Sequence, residues 1–193
     1  MKKKLNLFTS FLPWISFSVL SAIYPLWSLP SAILLSLCSI NKLMNGFVLD
    51  WGSLIFFIVV FIDVQVFHNL WLIHHMSIIV SFFFVAIAGF SLLINKPFTL
   101  QYAKLEVEKD KWNSPHFFRI NQLMTGGFGI IFLIMALITL YRSYHPHFLN
   151  QWLVWGVGMF VQVMFIDKFP KWYRKRYLHN KWVWTWRYTA RDS

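Results

Sequence analysis

The stretch FVLDWGSLIFFIVVFIDVQVF, running from Phe47 to Phe67, decides the fold class. Asp50 and Asp63 are its only charged residues. At 1.5 Å of rise per residue a helix of this length reaches about 30 Å, the thickness of the hydrocarbon core of a bilayer. No polar/apolar alternation runs through it, so in lipid its backbone must close its own hydrogen bonds as a helix, not as a barrel strand. Five further apolar runs lie outward from it: Leu5 to Ile23, Leu26 to Ile40, Met76 to Ile94, Leu123 to Leu140, and Trp152 to Ile166. The expected fold is therefore all-α, a polytopic membrane bundle of about six transmembrane helices. The first two runs are separated only by Tyr24 and Pro25, and Pro30 interrupts the second, so a short tilted or re-entrant hairpin fits them as well.

Composition agrees with lipid as the solvent. Hydrophobic residues make up 58% of the chain and charged residues 13%, about half the charged share of a soluble domain. Residues 1–167 are expected to form one bundle, and residues 168–193 a basic, Trp-rich cytoplasmic tail lying on the membrane surface. The Lys2-Lys3-Lys4 opening before an apolar run has the outline of a secretory signal. Pro13 and Trp14 interrupt that run and no small-residue cleavage site follows, so an uncleaved first helix is expected. The single cysteine, Cys38, lies within an apolar run and offers neither a disulfide framework nor a thiolate metal site.

The basic residues orient the bundle. With six crossings, 17 of the 18 Lys and Arg residues fall on one side and only Arg142 on the other. Short loops rich in Lys and Arg stay cytoplasmic, which places both termini there. The net charge of +11 is then a topology signal and an attraction to anionic lipid headgroups; no nucleic-acid partner is expected. The long connection from Lys96 to Arg119 carries Phe98, Tyr102, Leu105 and Trp112 among its charges. It is expected to form a short amphipathic helix with its rings at headgroup depth. Ser114-Pro115 then reads as the cap and first-turn proline of the next helix.

Asp63 is the carboxylate set well inside an apolar run, and an ionisable residue at that depth is a functional candidate. The competing reading is a carboxylate reaching the outer water layer or hydrogen-bonded to Gln65 or a neighbouring helix. Asp50 is expected at the interface. His68, His74, His75, His145 and His147 all fall on the outer side, where imidazoles could bind metal or sense pH. His68 and His74 are six residues apart and do not share a helical face, so solvated histidines are expected, with no metal and no cofactor. No catalytic residues are assigned: the chain has no Gly-x-Ser-x-Gly elbow, phosphate-cradling loop, haem attachment motif or His-Glu-x-x-His motif. Asn121, Thr125 and Gly129 recur every four residues, which predicts a buried helix contact, with Gly158 and Gln162 as a candidate partner pair. A ligand groove is the other reading of that stripe.

The order of features carries a resemblance: Lys96-Pro97 closing a membrane helix, a charged connection containing Trp112, Arg119-Ile120-Asn121 opening a long apolar helix, and a last helix before a basic tail. From about Leu72 to Ile166 this resembles the intracellular septation protein A family of bacterial inner-membrane proteins, and uncharacterised small membrane proteins built alike. The resemblance implies a multi-pass protein of the bacterial inner membrane. Its role would lie in septation and cell-envelope maintenance, through contacts with other membrane division or envelope proteins. It supplies no catalytic residue. Two alternatives remain: a small transporter or ion-coupled carrier using Asp63, and a membrane enzyme with an unrecognised site.

Overall fold

The computed structural model describes residues 5–109, 112–145 and 147–177. Among them every regular element is a helix: α1 (Leu5–Ile23), α2 (Pro25–Cys38), α3 (Ile40–Met44), α4 (Val48–Val66), α5 (Leu70–Leu93), α6 (Phe98–Glu106), α7 (Pro115–Tyr144) and α8 (Gln151–Tyr177). Among the described residues four stretches are long and apolar enough to cross a membrane: Val48–Val66, Trp71–Leu93, Pro115–Tyr144 and Leu153–Tyr173. Of the first two expected crossings, α1 has 19 residues and α2 only 14. They pack against one another as a hairpin, with Ser16 and Ser31 hydroxyls 3.0 Å apart across the contact. Ser28, Ala32 and Ser36 form a buried small-residue stripe on α2, which permits close helix approach.

The helix ends follow from local chemistry. Asn69 caps α5, its side chain accepting from the Leu72 N–H at 3.3 Å. At the other end of α5, Asn95 takes φ +53, the Lys96 N–H reaches back to the Ser91 carbonyl at 2.9 Å, and Pro97 prevents the helix from continuing. Ser114 is the N-cap of α7 with Pro115 in its first turn, as expected, although the Ser114 hydroxyl makes no capping bond.

Contacts divide the chain into Met1–Phe148 and Leu149–Ser193. In the first unit α5 packs along α7, α2 and α5 pack on α4, and α6 lies across α7, α5 and α1. Its core is aromatic. Trp14 sits 4.5 Å from Phe57, 5.1 Å from Phe56, 5.3 Å from Phe83 and 4.6 Å from Phe84 between ring centroids, and Phe84 stacks on Phe132 at 4.8 Å. In the second unit α8 runs unbroken through the boundary expected at residue 167. Residues 178–193, most of the expected tail, lie outside the described residues.

Candidate functional site

The end of the first unit that carries Lys42, Lys96 and α6 holds a buried polar centre built on Asp50. Asp50 occupies the first turn of α4, where a carboxylate is favoured by the free N–H groups of the helix start, and it is 4% exposed. Ser10 of α1 donates its hydroxyl to the carboxylate, at 2.9 and 3.0 Å from the two oxygens. Tyr102 of α6 donates its phenol to Oδ2. Lys42 of α3 donates to Thr9 Oγ1 and to Ser10 Oγ at 2.8 Å, and its ammonium lies 5.6 Å from the centre of the Tyr102 ring. Ser10 thus bridges cation and carboxylate, accepting from one and donating to the other.

Burial pushes the Lys42 ammonium below the usual lysine range, while the Asp50 charge opposes that shift. Burial also raises the Tyr102 phenol well above its ordinary value, reinforced by the Asp50 charge and by the hydrogen bond to it. Both follow from taking charge out of water beside a carboxylate. The centre joins four elements of opposite sequence position, α1, α3, α4 and α6. Gln101 adds a fifth tie at the same end: its Oε1 accepts from the Val48 N–H at 2.9 Å and its Nε2 donates to the Gly46 carbonyl at 3.0 Å. One turn further along α4, the Trp14 indole donates to Ser53 Oγ at 2.8 Å.

A second polar knot lies beside it. Thr99 Oγ1 donates to the Asn121 carbonyl at 2.8 Å and lies 2.9 Å from Thr125 Oγ1, while the Asn121 amide donates to the Phe117 carbonyl at 2.7 Å. The stripe Asn121, Thr125, Gly129 is therefore a helix contact, but α6 and α5 cover it: a Cβ on Gly129 would stand 3.4 Å from Ala88 Cβ.

The remaining candidates disperse. Asp63 is half-buried at the far end of α4, with Oδ2 buried and without a hydrogen-bond partner. His68 is exposed with φ +48; His75 bonds the Trp71 carbonyl at 2.8 Å and stacks on its ring; His74 is exposed. Among the described residues no three His, Cys, Asp or Glu side chains group to hold a metal. Of the motif residues, Pro97 is buried, while Lys96 and Arg119 are exposed, the latter bonded to Gln122 at 2.8 Å. Trp112 is half-buried, donating to the Val107 carbonyl at 3.0 Å with Lys104 over its ring. Phe98 and Tyr102, expected at headgroup depth, point inward and are 1% and 3% exposed. Asp50, expected at the interface, is the hub. Its partners could not be paired by spacing, because Ser10, Lys42 and Tyr102 lie 40, 8 and 52 residues from it. Compared with protein-family profiles, curated proteins and solved structures, the chain matches none.

Proposed function

We propose that this is a non-enzymatic, multi-pass protein of the bacterial cytoplasmic membrane that acts by contact with other membrane proteins, in septation or envelope maintenance. Both termini lie in the cytoplasm, with the basic end against anionic headgroups. One observation favours contact over transport. Between Asp50 and Asp63, about 20 Å apart along α4, the interior is filled by the interlocked rings of Trp14, Phe56, Phe57, Phe83 and Phe84. A carrier using Asp63 needs polar access from both sides in turn, and this aromatic layer would have to come apart to give it.

Protein reconstituted in liposomes loaded with a pH-sensitive dye should dissipate imposed proton, sodium and potassium gradients no faster than empty liposomes. A flux abolished by Asp63→Asn would establish the carrier reading instead. In a deletion strain, increased cell length or envelope sensitivity is the expected phenotype, and normal division under envelope stress would count against the septation role.

A further inference from the structure

The last turns of α8 have two unlike sides. Phe165, Phe169 and Tyr173 follow one another at four-residue spacing, with ring centroids 4.9 Å apart for the first pair and 6.2 Å for the second. Trp172 joins this row 5.8 Å from Phe169, and the Arg176 guanidinium lies 5.5 Å from the centre of the Trp172 ring. Lys168, Lys171 and Lys175 lie at i, i+3 and i+7, within about 60° of one another and about 130° round the helix from the aromatic row. Burial separates the two sides. Tyr173 is 8% exposed and Phe169 is half-buried, whereas all three lysines are exposed. The covered side is therefore aromatic, and the open side is cationic.

Depth decides what the open side meets. The stretch Leu153–Tyr173 is long and apolar enough to cross a membrane, and α8 has 27 residues, about 40 Å of helix against a hydrocarbon core of about 30 Å. Its apolar run ends at Ile166. Lys168, Lys171 and Lys175 follow about 3, 8 and 14 Å farther along the axis, and the headgroup layer is about 5–8 Å deep. In an upright helix the first two ammonium groups thus stand at phosphate height. Lys175 reaches back along its flexible stem, helped by Pro170, which lies inside α8, lacks an N–H and lets the helix bend at this level. The Asp167 carboxylate accepts from Lys171 at 2.7 and 2.9 Å. An exposed pair of this kind is weak, and one carboxylate against three lysines leaves the face cationic.

We propose that the Lys168, Lys171 and Lys175 face of α8 is a docking surface for anionic phospholipid, which it gathers from the surrounding leaflet through the lipid phosphates. Charge complementarity calls for an anion along this face. Continuity with a spanning helix makes that anion a lipid, because a soluble acidic partner would have to displace headgroups to reach Lys168 and Lys171. A zwitterionic lipid offers each lysine a phosphate but also an ammonium or choline that repels it, so a net negative headgroup is favoured. The surface rests on, and makes specific, the contact between basic end and headgroups proposed above. It needs neither the septation role nor the cytoplasmic orientation, since a membrane of one composition presents the same lipid on both faces.

The test uses the full chain in phosphatidylcholine membranes with a trace of spin-labelled lipid, and electron paramagnetic resonance reads the fraction of label immobilised at the protein surface. Spin-labelled phosphatidylglycerol should associate about fivefold more strongly than spin-labelled phosphatidylcholine, and added salt should shrink the difference. The triple variant Lys168→Gln, Lys171→Gln, Lys175→Gln should bring the ratio close to one, and Lys168→Gln alone should lower it part-way. Lys96→Gln with Lys104→Gln, in the first unit, should leave most of the preference in place. Melting of each variant in pure phosphatidylcholine reports its folding. Equal association of the two lipids with the parent overturns the proposal and leaves an acidic protein as the occupant of this face. A preference that survives in the folded triple variant, or that only the Lys96 and Lys104 changes remove, overturns it as well, because the anionic lipid then sits elsewhere.

Discussion

Asp50 gathers the groups whose loss should be felt most. Replacing it with Ala leaves the Ser10 and Tyr102 hydroxyls without their acceptor and the Lys42 ammonium without its counter-charge. Each hydrogen bond to a charged group contributes about 1.5–3 kcal/mol, so Asp50→Ala, which removes the acceptor of both hydroxyls, should fail to fold or melt far below the parent in detergent. Tyr102→Phe removes one hydrogen bond to a charged group, about 1.5–3 kcal/mol, and should leave a folded protein with a lower melting temperature. If Asp50→Ala melts with the parent, the centre contributes nothing to folding. The alkaline limb follows from the two shifts. Tyr102 holds its proton above 10.0 when folded, so stability that depends on the protonated phenol is present below pH 10 and is lost as pH rises through the raised folded value. Lys42 is shifted below 10.5. Between its folded value and 10.5 the unfolded chain binds more protons, and stability there rises with pH. Stability should thus climb slightly towards pH 10 and fall beyond it, and Tyr102→Phe should remove the fall. A parent and a Tyr102→Phe variant with identical profiles above pH 10 would contradict the assignment. None of this was legible in the sequence, where Asp50 looks like any carboxylate at a helix start. An apolar flank on both sides marks possible burial, but partners 40 and 52 residues away depend on tertiary packing.

Helix-scale patterns were more readable, because helical spacing fixes which residues share a face before any partner is known. Asn121, Thr125 and Gly129 form a contact stripe as their spacing demands, and Thr125 is fully buried. The part α6 plays in covering it was not foreseen, because α6 was expected to lie on the membrane surface. Instead Phe98 and Tyr102 insert, Ser91 Oγ accepts from the Phe98 N–H at 3.3 Å, and Thr125 Oγ1 accepts from the Thr99 N–H at 3.4 Å. Side chains of α5 and α7 thus satisfy donors at the start of α6 that headgroup water would have satisfied at an interface. Two substitutions separate packing from hydrogen bonding on this stripe. Asn121→Ala loses a bond from the side chain to its own helix and should be mild, because polar side-chain bonds in membrane bundles average about 0.6 kcal/mol. Gly129→Leu places branched carbons where Ala88 Cβ already stands in contact. It should cost about 1–3 kcal/mol through overpacking, with Ile130→Ala, on the exposed face, as control. A Gly129→Leu protein as stable as the parent would mean that α5 and α7 can separate freely there.

At the scale of the whole molecule, apolar length identified the bundle but not the number of crossings. The sequence offers six apolar runs, and among the described residues four stretches qualify by length and composition; α2, with 14 residues, covers only about 21 Å. The reason is Tyr24-Pro25, which divides one apolar region into a hairpin and leaves its second arm short. Parity is nevertheless unaffected, since a hairpin returns the chain to the side it left. The basic residues therefore sort the same way with four crossings as with six, and an enzymatic reporter active only outside the cytoplasm should be silent when fused at Ser193 and active at His147. How far the hairpin reaches follows from Ser10, which is fixed against Asp50. From Ser10 the tip at Tyr24 lies fourteen residues along α1, about 21 Å. Asp63 lies thirteen residues along α4 from Asp50, about 20 Å, so the tip reaches the layer of Asp63, near the end of α4. Tyr24 is exposed, and an aromatic residue at that height suits a membrane–water interface. In a Cys38→Ala background, Tyr24→Cys should react with a membrane-impermeant maleimide added to intact spheroplasts. Asn45→Cys, at the basic end, should react only after the membrane is opened. If the cysteine at position 24 resists the reagent on both sides, the hairpin ends inside the hydrocarbon and the bundle has four crossings; if it labels only from the cytoplasm, the orientation drawn from the basic residues fails with it.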